Sequence, residues 1–149
     1  MIAKSRGDRV SGREKTDGAC VTRPGGRIVI GPDPDWETLV IDCSDADLLR
    51  RIKAFHSKLI ANAGIAHELP AQMRQIGLQA VTVTPGTIVL TDLRAAEAMF
   101  ALNSIVEHAQ QDDAISDDDG SAWTHDLQTR DRAGDFFLSL TGFLNTAIR

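Results

Sequence analysis

Apolar residues along this sequence recur with two periods, one typical of buried strands and one typical of amphipathic helices. A short β-branched run over residues 27–30 predicts a buried strand. Residues 78–90 predict either a hairpin or one strand interrupted at Pro85-Gly86. A last strand is predicted where the sequence turns apolar again, from residue 136 onward.

Helical spacing marks the segments between these strands. Helices are predicted from Ser44 to about residue 62, from Pro70 to Gly77, from Asp92 past Val106, and around Trp123 and Leu127 up to Gly134. The acidic residues 112–120 predict a solvated linker. Strands that are separated by helical patterns favour an α/β fold over an all-β fold or a helical bundle.

Composition and charge limit the classes of function. The chain has 149 residues, enough for one domain, and its formal net charge of −5 argues against nucleic acid as a ligand. Cys20 and Cys43 lack metal-ligand spacing, and the basic residues near Met1 are not followed by an apolar run. We therefore expect a cytoplasmic protein with no membrane segment, and a flexible arm over residues 1–19.

The acidic residues 112–120 have the composition of a calcium-binding loop, so their spacing is compared with that of an EF-hand. With Gly120 at the glycine position of an EF-hand loop, Ile115 would be the first ligand and Asp126 would replace the bidentate glutamate. This arrangement does not fit the motif, and no metal site is predicted.

Several short motifs resemble class I S-adenosylmethionine-dependent methyltransferases, in the type-11 and ubiquinone-biosynthesis-like branch. The resemblance spans about residues 20–149, and four motifs in order carry it: Arg23-Pro24-Gly25-Gly26-Arg27-Ile28-Val29-Ile30 before and in the first strand, Asp33-Pro34-Asp35-Trp36-Glu37-Thr38-Leu39 after it, Leu69-Pro70 with Ile76-Gly77-Leu78, and Gly134-Asp135-Phe136-Phe137.

This resemblance implies a fold and an activity. Residues 20–149 would be the C-terminal half of a Rossmann-like methyltransferase domain, with residues 27–30, 79–90 and 136–147 as its last three strands. The final strand would run antiparallel between the other two. Residues 93–132 would form an inserted helical lid that keeps water from the reaction. The complete domain would methylate a small organic acceptor.

The glycine-rich motif that binds S-adenosyl-L-methionine in that family has no counterpart in this sequence. Such glycines let the backbone approach the cofactor closely. The chain by itself is therefore expected to be inactive, and no cofactor-binding residue is assigned. Two alternatives remain open at this stage: a non-catalytic interaction module that pairs with another protein, and a truncated gene product.

Four residues are candidates for binding the substrate. Asp33, Asp35 and Trp36 follow a strand at the edge where open α/β sheets bind ligands, and Trp123 could close over a flat substrate. The alternatives are a turn for the two aspartates and packing roles for both tryptophans.

No catalytic residue is assigned from the sequence. His56 and His67 are interpreted as surface or capping residues, and His108 and His125 as less favoured candidates for a general base. The strand at residues 27–30 would have an open edge, through which we expect self-association.

Overall fold

Strands and helices alternate along the computed structural model, which describes residues 22–149. The strands are β1 (Arg27–Pro34), β2 (Val40–Ile41), β3 (Gln79–Leu90) and β4 (Leu138–Ile148). The helices are α1 (Ala46–Leu59), α2 (Ile65–Gln75), α3 (Leu93–Phe100), α4 (Leu102–Gln111) and α5 (Asp117–Ala133), and a 3-10 turn spans Trp36–Thr38. The predicted arm at residues 1–19 lies outside the described residues.

The four strands form one open sheet, in which β4 is antiparallel to the other three. β1 and the short β2 pair with one side of β4, and β3 pairs with the other side. Because both long neighbours oppose β4, β1 and β3 run parallel to each other. The predicted α/β class is confirmed, and the last strand lies between the other two as the resemblance implied.

Side chains of β4 alternate between the faces of the sheet, and each face has its own core. Leu138 and Leu140 point into the main core, which α1, α4 and α5 complete. Ala147 points the other way and packs with Leu69 and Met73 of α2. The helices therefore cover different halves of the two faces.

β3 resolves the choice between a hairpin and an interrupted strand. It is one strand, and its pairing with β4 continues through Pro85 opposite Phe143 and Gly86 opposite Gly142. Proline is tolerated here because β3 pairs with only one strand in the described part of the chain.

The first two helices begin at other residues than predicted. Asp45, not Ser44, caps α1, and its carboxylate accepts hydrogen bonds from the backbone N–H groups of Asp47 and Leu48 at 2.9 Å each. The Ser44 side chain donates to Asp126 of α5 at 2.7 Å. Pro70 lies inside α2 rather than in its first turn, so one carbonyl of this helix lacks its usual donor.

The helix predicted from Asp92 past Val106 is two helices. Asp92 caps the first as expected, accepting from the Ala95 N–H at 2.7 Å. Ala101 then takes a left-handed conformation with φ of 51°, which ends α3 and starts α4. The hydrophobic spacing hid this break because Ala96 and Leu102, on either side of it, both enter the main core.

The acidic linker prediction is wrong from Asp117 onward, because α5 begins there. Ser116 and Asp119 form a capping box, in which each side chain accepts from the other residue's backbone N–H. Arg51 of α1 donates to the Asp119 carboxylate at 2.8 Å, and this hydrogen bond lowers the pKa of Asp119 to about 2. Acidic residues are also favourable at a helix N-terminus, and Gly134 ends α5 as predicted.

Of the helices in the described part of the chain, none has the length and hydropathy that a membrane crossing requires.

We expect Trp123→Ala to lower the free energy of unfolding by about 3 to 5 kcal/mol, because a large buried side chain leaves a cavity. Trp123 is 4% exposed in the main core. Urea denaturation measures the loss, with His125→Ala on the exposed side of the same helix as the control. A loss as small as that of the control would contradict the packing role.

Candidate functional site

The candidate site lies where β1 ends and the 3-10 turn begins. A register shift in β1 between Ile30 and Asp33 changes the direction of the chain just before it. Gly31 is required at this shift, because its φ is 101° and an added Cβ would lie 2.6 Å from the Phe143 carbonyl oxygen. Asp33 pairs with Phe143 and is half-buried, and Asp35 and Trp36 follow it.

Asp35 is buried, with both carboxylate oxygens in hydrogen bonds. Its Oδ1 accepts from the Glu37 N–H at 3.1 Å, which caps the 3-10 turn. Its Oδ2 lies 2.8 Å from Nδ1 of His67. Its own backbone N–H donates to the Thr141 carbonyl at 2.9 Å, so that the residue is tied to β4.

His67 sits in the first turn of α2 with its side chain 49% exposed. A carboxylate only accepts, so Nδ1 carries the proton of this hydrogen bond and Nε2 is left to act on a ligand. The hydrogen bond that His67 donates to the Asp35 carboxylate raises the pKa of His67. The ring also lies against Gly64, where an added Cβ would be 3.0 Å from Cε1 of the imidazole. The ring is thus held by a carboxylate and by packing.

A histidine held by a carboxylate through Nδ1 is an arrangement that enzymes use for proton transfer. The sequence showed no partner for His67, because Asp35 lies 32 positions away. No local spacing signals a pair that only the packing of α2 beside β1 brings together.

Trp36, the residue after Asp35, contacts two further aromatic rings. Trp36 makes edge-on contacts with His56 of α1, at 4.5 Å between ring centroids, and with Phe100 at the end of α3, at 5.9 Å. Both His56 ring nitrogens are buried with no hydrogen-bond partner among the described residues. Burial lowers the pKa of His56, which favours its neutral form. His56 is therefore not the surface or capping residue that was expected.

Asp33, Asp35 and Trp36 lie together because they are close in the chain, and Trp36 packs against the main core. Trp123 is in the main core, which is the packing role weighed against substrate binding. His108 and His125 are exposed on α4 and α5. A role for any of these residues in binding a substrate stays a prediction.

A surface groove of about 440 Å³ lies between α3, α4 and α5. Two of its carboxylates serve helix ends: Asp131 accepts from the Leu93 N–H at 2.8 Å, and Glu97 accepts from the Asn103 N–H at 3.1 Å. The groove therefore offers fewer free polar groups than its lining suggests. Within residues 22–149, no group of three or more His, Cys, Asp or Glu side chains is arranged to hold a metal ion.

No model of a known protein family matches the sequence. A curated relative is an uncharacterized 37.1 kDa protein in transposon TN4556 of Streptomyces fradiae, which is 31% identical over 128 residues. The matched region is 85% of this chain but 36% of the relative. The chain therefore spans about a third of the length of this relative.

We expect Asp35→Asn to lower the pKa of His67, because the neutral amide no longer stabilises the imidazolium charge. Histidine ring signals followed by NMR through a pH titration measure this pKa. Asp33→Asn, which changes a carboxylate without a hydrogen bond to His67, is the matched control. Equal pKa values in the parent and in Asp35→Asn would show that the pair is not electrostatically coupled.

The pH dependence of the free energy of unfolding should show that His56 is buried in its neutral form. Its folded-state pKa is lowered from the ordinary value of about 6.5, so the unfolded chain binds the proton first as the pH falls. Its contribution to stability is complete above about pH 6.5 and is lost below it. The free energy of unfolding of His56→Leu relative to that of the parent should thus be higher at pH 5.5 than at pH 7.5.

Denaturation at the two pH values measures this difference, and Ala54→Leu on the same helix is the non-titrating control. A difference between His56→Leu and the parent that is the same at both pH values would contradict the buried, neutral histidine.

Proposed function

We propose that this chain is the acceptor-side part of a class I S-adenosylmethionine-dependent methyltransferase, which methylates a small organic molecule in its complete form. The observation that carries the proposal is the placement of β4, antiparallel between the parallel strands β1 and β3. The methyltransferases that the sequence resembles end in three strands of this order and direction.

Backbone hydrogen bonds between the end of β4 and the turn before β1 also support the methyltransferase proposal. The Pro24-Gly25-Gly26 turn before β1 is joined to Arg149 by two backbone hydrogen bonds, from the Gly25 N–H at 2.8 Å and to the Gly26 carbonyl at 3.0 Å. Gly25 has a φ of 76°, which favours glycine at this turn. The Pro24-Gly25-Gly26 motif of the resemblance thus joins the start of β1 to the end of β4.

One half of a sheet face has no cover among the described residues. Val29 is on the face opposite α2 and is 57% exposed. An apolar residue exposed on an uncovered sheet face is a place where further protein can pack. A further layer of protein over Val29 is what a cofactor-binding half would supply, and the greater length of the relative is consistent with more protein than this chain contains.

The described residues do not by themselves fit S-adenosyl-L-methionine. The glycines with the tightest surroundings are closed by the protein's own atoms: Gly120 by the Gln110 side chain, Gly26 by Thr22 and Arg23, and Gly31 by the Phe143 carbonyl. A glycine-rich loop that could cradle a ligand is not among them. We therefore assign no cofactor contact to this chain.

The contribution of this chain would be to the acceptor. Asp35 holds His67 so that Nε2 can accept a proton from an acidic O–H or N–H group. Trp36 and Asp33 would border the acceptor at the end of β1. Phe100 packs on Trp36, so the helices of residues 93–132 would cover this side as a lid.

The alternative is a non-catalytic module that pairs with another protein, and the uncovered face at Val29 is the observation that favours it. A buried carboxylate coupled to a half-exposed histidine has no evident use in such a module. The methyltransferase proposal accounts for both features.

We expect S-adenosylmethionine to bind the longer S. fradiae relative with a micromolar dissociation constant, about −8 kcal/mol, and to bind this chain more weakly than about a millimolar, roughly −4 kcal/mol. Calorimetric titration measures both, with adenosine as the control ligand. Micromolar binding to this chain would show that the missing motif is unnecessary. A relative that does not bind the cofactor would overturn the proposal.

A further inference from the structure

The outer edge of β3 is long, apolar and without charge. Within residues 22–149, β3 pairs in the sheet only with β4, so its other edge presents unpaired backbone groups. No residue from Gln79 to Leu90 is charged. Val83 and Val89 are 41% and 53% exposed. Proteins usually protect such edges with charges, prolines or bulges.

β1 is less suited to pairing with another chain, although the sequence predicted self-association at this strand. Its register shifts between Ile30 and Asp33, and Pro32 and Pro34 remove two backbone N–H groups. Only about residues 28–30 of β1 are therefore left to pair with another strand. β3 has a single proline, Pro85, and its pairing with β4 is regular from Thr82 to Leu90.

We propose that β3 pairs antiparallel with β3 of a second copy of this chain, about a two-fold axis at Gly86. In this register each Val83 lies opposite Val89 of the second copy, so the two exposed valines cover one another. An axis at Pro85 would instead place Val83 opposite a threonine, and would bring two residues without N–H groups together. An added Cβ at Gly86 meets no atom within 4 Å, so the axis itself is unobstructed.

The charges at the two ends of the strand also suit a second copy. Asp92 follows the end of β3, whereas Gln79 at its start pairs with Ile148, next to Arg149 and opposite Arg27. Antiparallel pairing brings the acidic end of one strand toward the basic end of the other. One surface patch thus complements itself, as a two-fold interface requires. The dimer does not depend on the methyl transfer proposed above.

A cysteine at the axis tests the register. Directly opposed residues of antiparallel strands have Cα atoms about 4.5 to 5.5 Å apart, within the range of a disulfide. In a Cys20→Ser, Cys43→Ser background, Gly86→Cys should form a disulfide-linked dimer on mild oxidation. Thr84→Cys is the matched control on the same sheet face, because its two copies would be about 13 Å apart along the strands.

Sedimentation of the full chain at several concentrations tests the dimer without cross-linking. We expect a dimer at tens of micromolar that Val89→Lys weakens at least tenfold, because each two-fold contact receives the charge twice. Val29→Lys on β1 should leave the dimer unchanged, and circular dichroism should show both variants folded. A monomer at hundreds of micromolar, equal cross-linking of Gly86→Cys and Thr84→Cys, or weakening by Val29→Lys alone would each overturn the proposal.

Discussion

The pairing of β4 with strands on both of its sides is the interaction on which the rest of the structure depends. Every other strand of the described sheet pairs with β4 and with no other. Both cores also attach to it, the main core through Leu138 and Leu140 and the smaller one through Ala147. Since hydrogen bonding and burial meet in this one strand, loss of its pairing would separate β1, β3 and the helices at once.

The geometry of the candidate site is also fixed by hydrogen bonds to β4. The Thr141 carbonyl accepts from the Asp35 N–H, and the Thr141 N–H donates to Oγ1 of Thr38 at 2.9 Å. These hydrogen bonds fix the position of the 3-10 turn. The turn places the Asp35 carboxylate within hydrogen-bond distance of His67 on α2. Residues that are held by a sheet keep the distances that proton transfer needs more closely than residues on a free loop. The site is therefore part of the sheet edge and not an addition to it.

Sequence patterns predicted the strands better than the helices, for a physical reason. β1, β3 and β4 are runs rich in apolar and β-branched residues, and such runs are visible in composition. Burial was not predicted as well: the strand at residues 27–30 was expected to be buried, but no residue of β1 or β3 is buried, because both strands pair only with β4 in the described sheet. The break at Ala101, the proline inside α2 and the helical start at Asp117 depend on tertiary packing and side-chain caps, which hydrophobic spacing does not record.

The same limit applies to the site. Asp35 and Trp36 were proposed as candidates from their place after a strand, which follows from the general behaviour of open α/β sheets. His67 was not, because its partner is distant in sequence and its own helix offers no sign of the contact. A residue's position relative to a strand can be read locally, whereas the pairing of two side chains from different elements requires the fold.

The place of β4 in the order of the chain also sets how the protein must be made. About a hundred residues separate the end of β1 from the start of β4. At ribosomal rates of roughly 5 to 20 residues per second, β1 therefore waits on the order of 5 to 20 s for its partner strand. During that time β1 and then β3 are exposed apolar strands on a nascent chain. Translation speed and chaperone binding over this interval would then govern how much of the protein reaches its folded state.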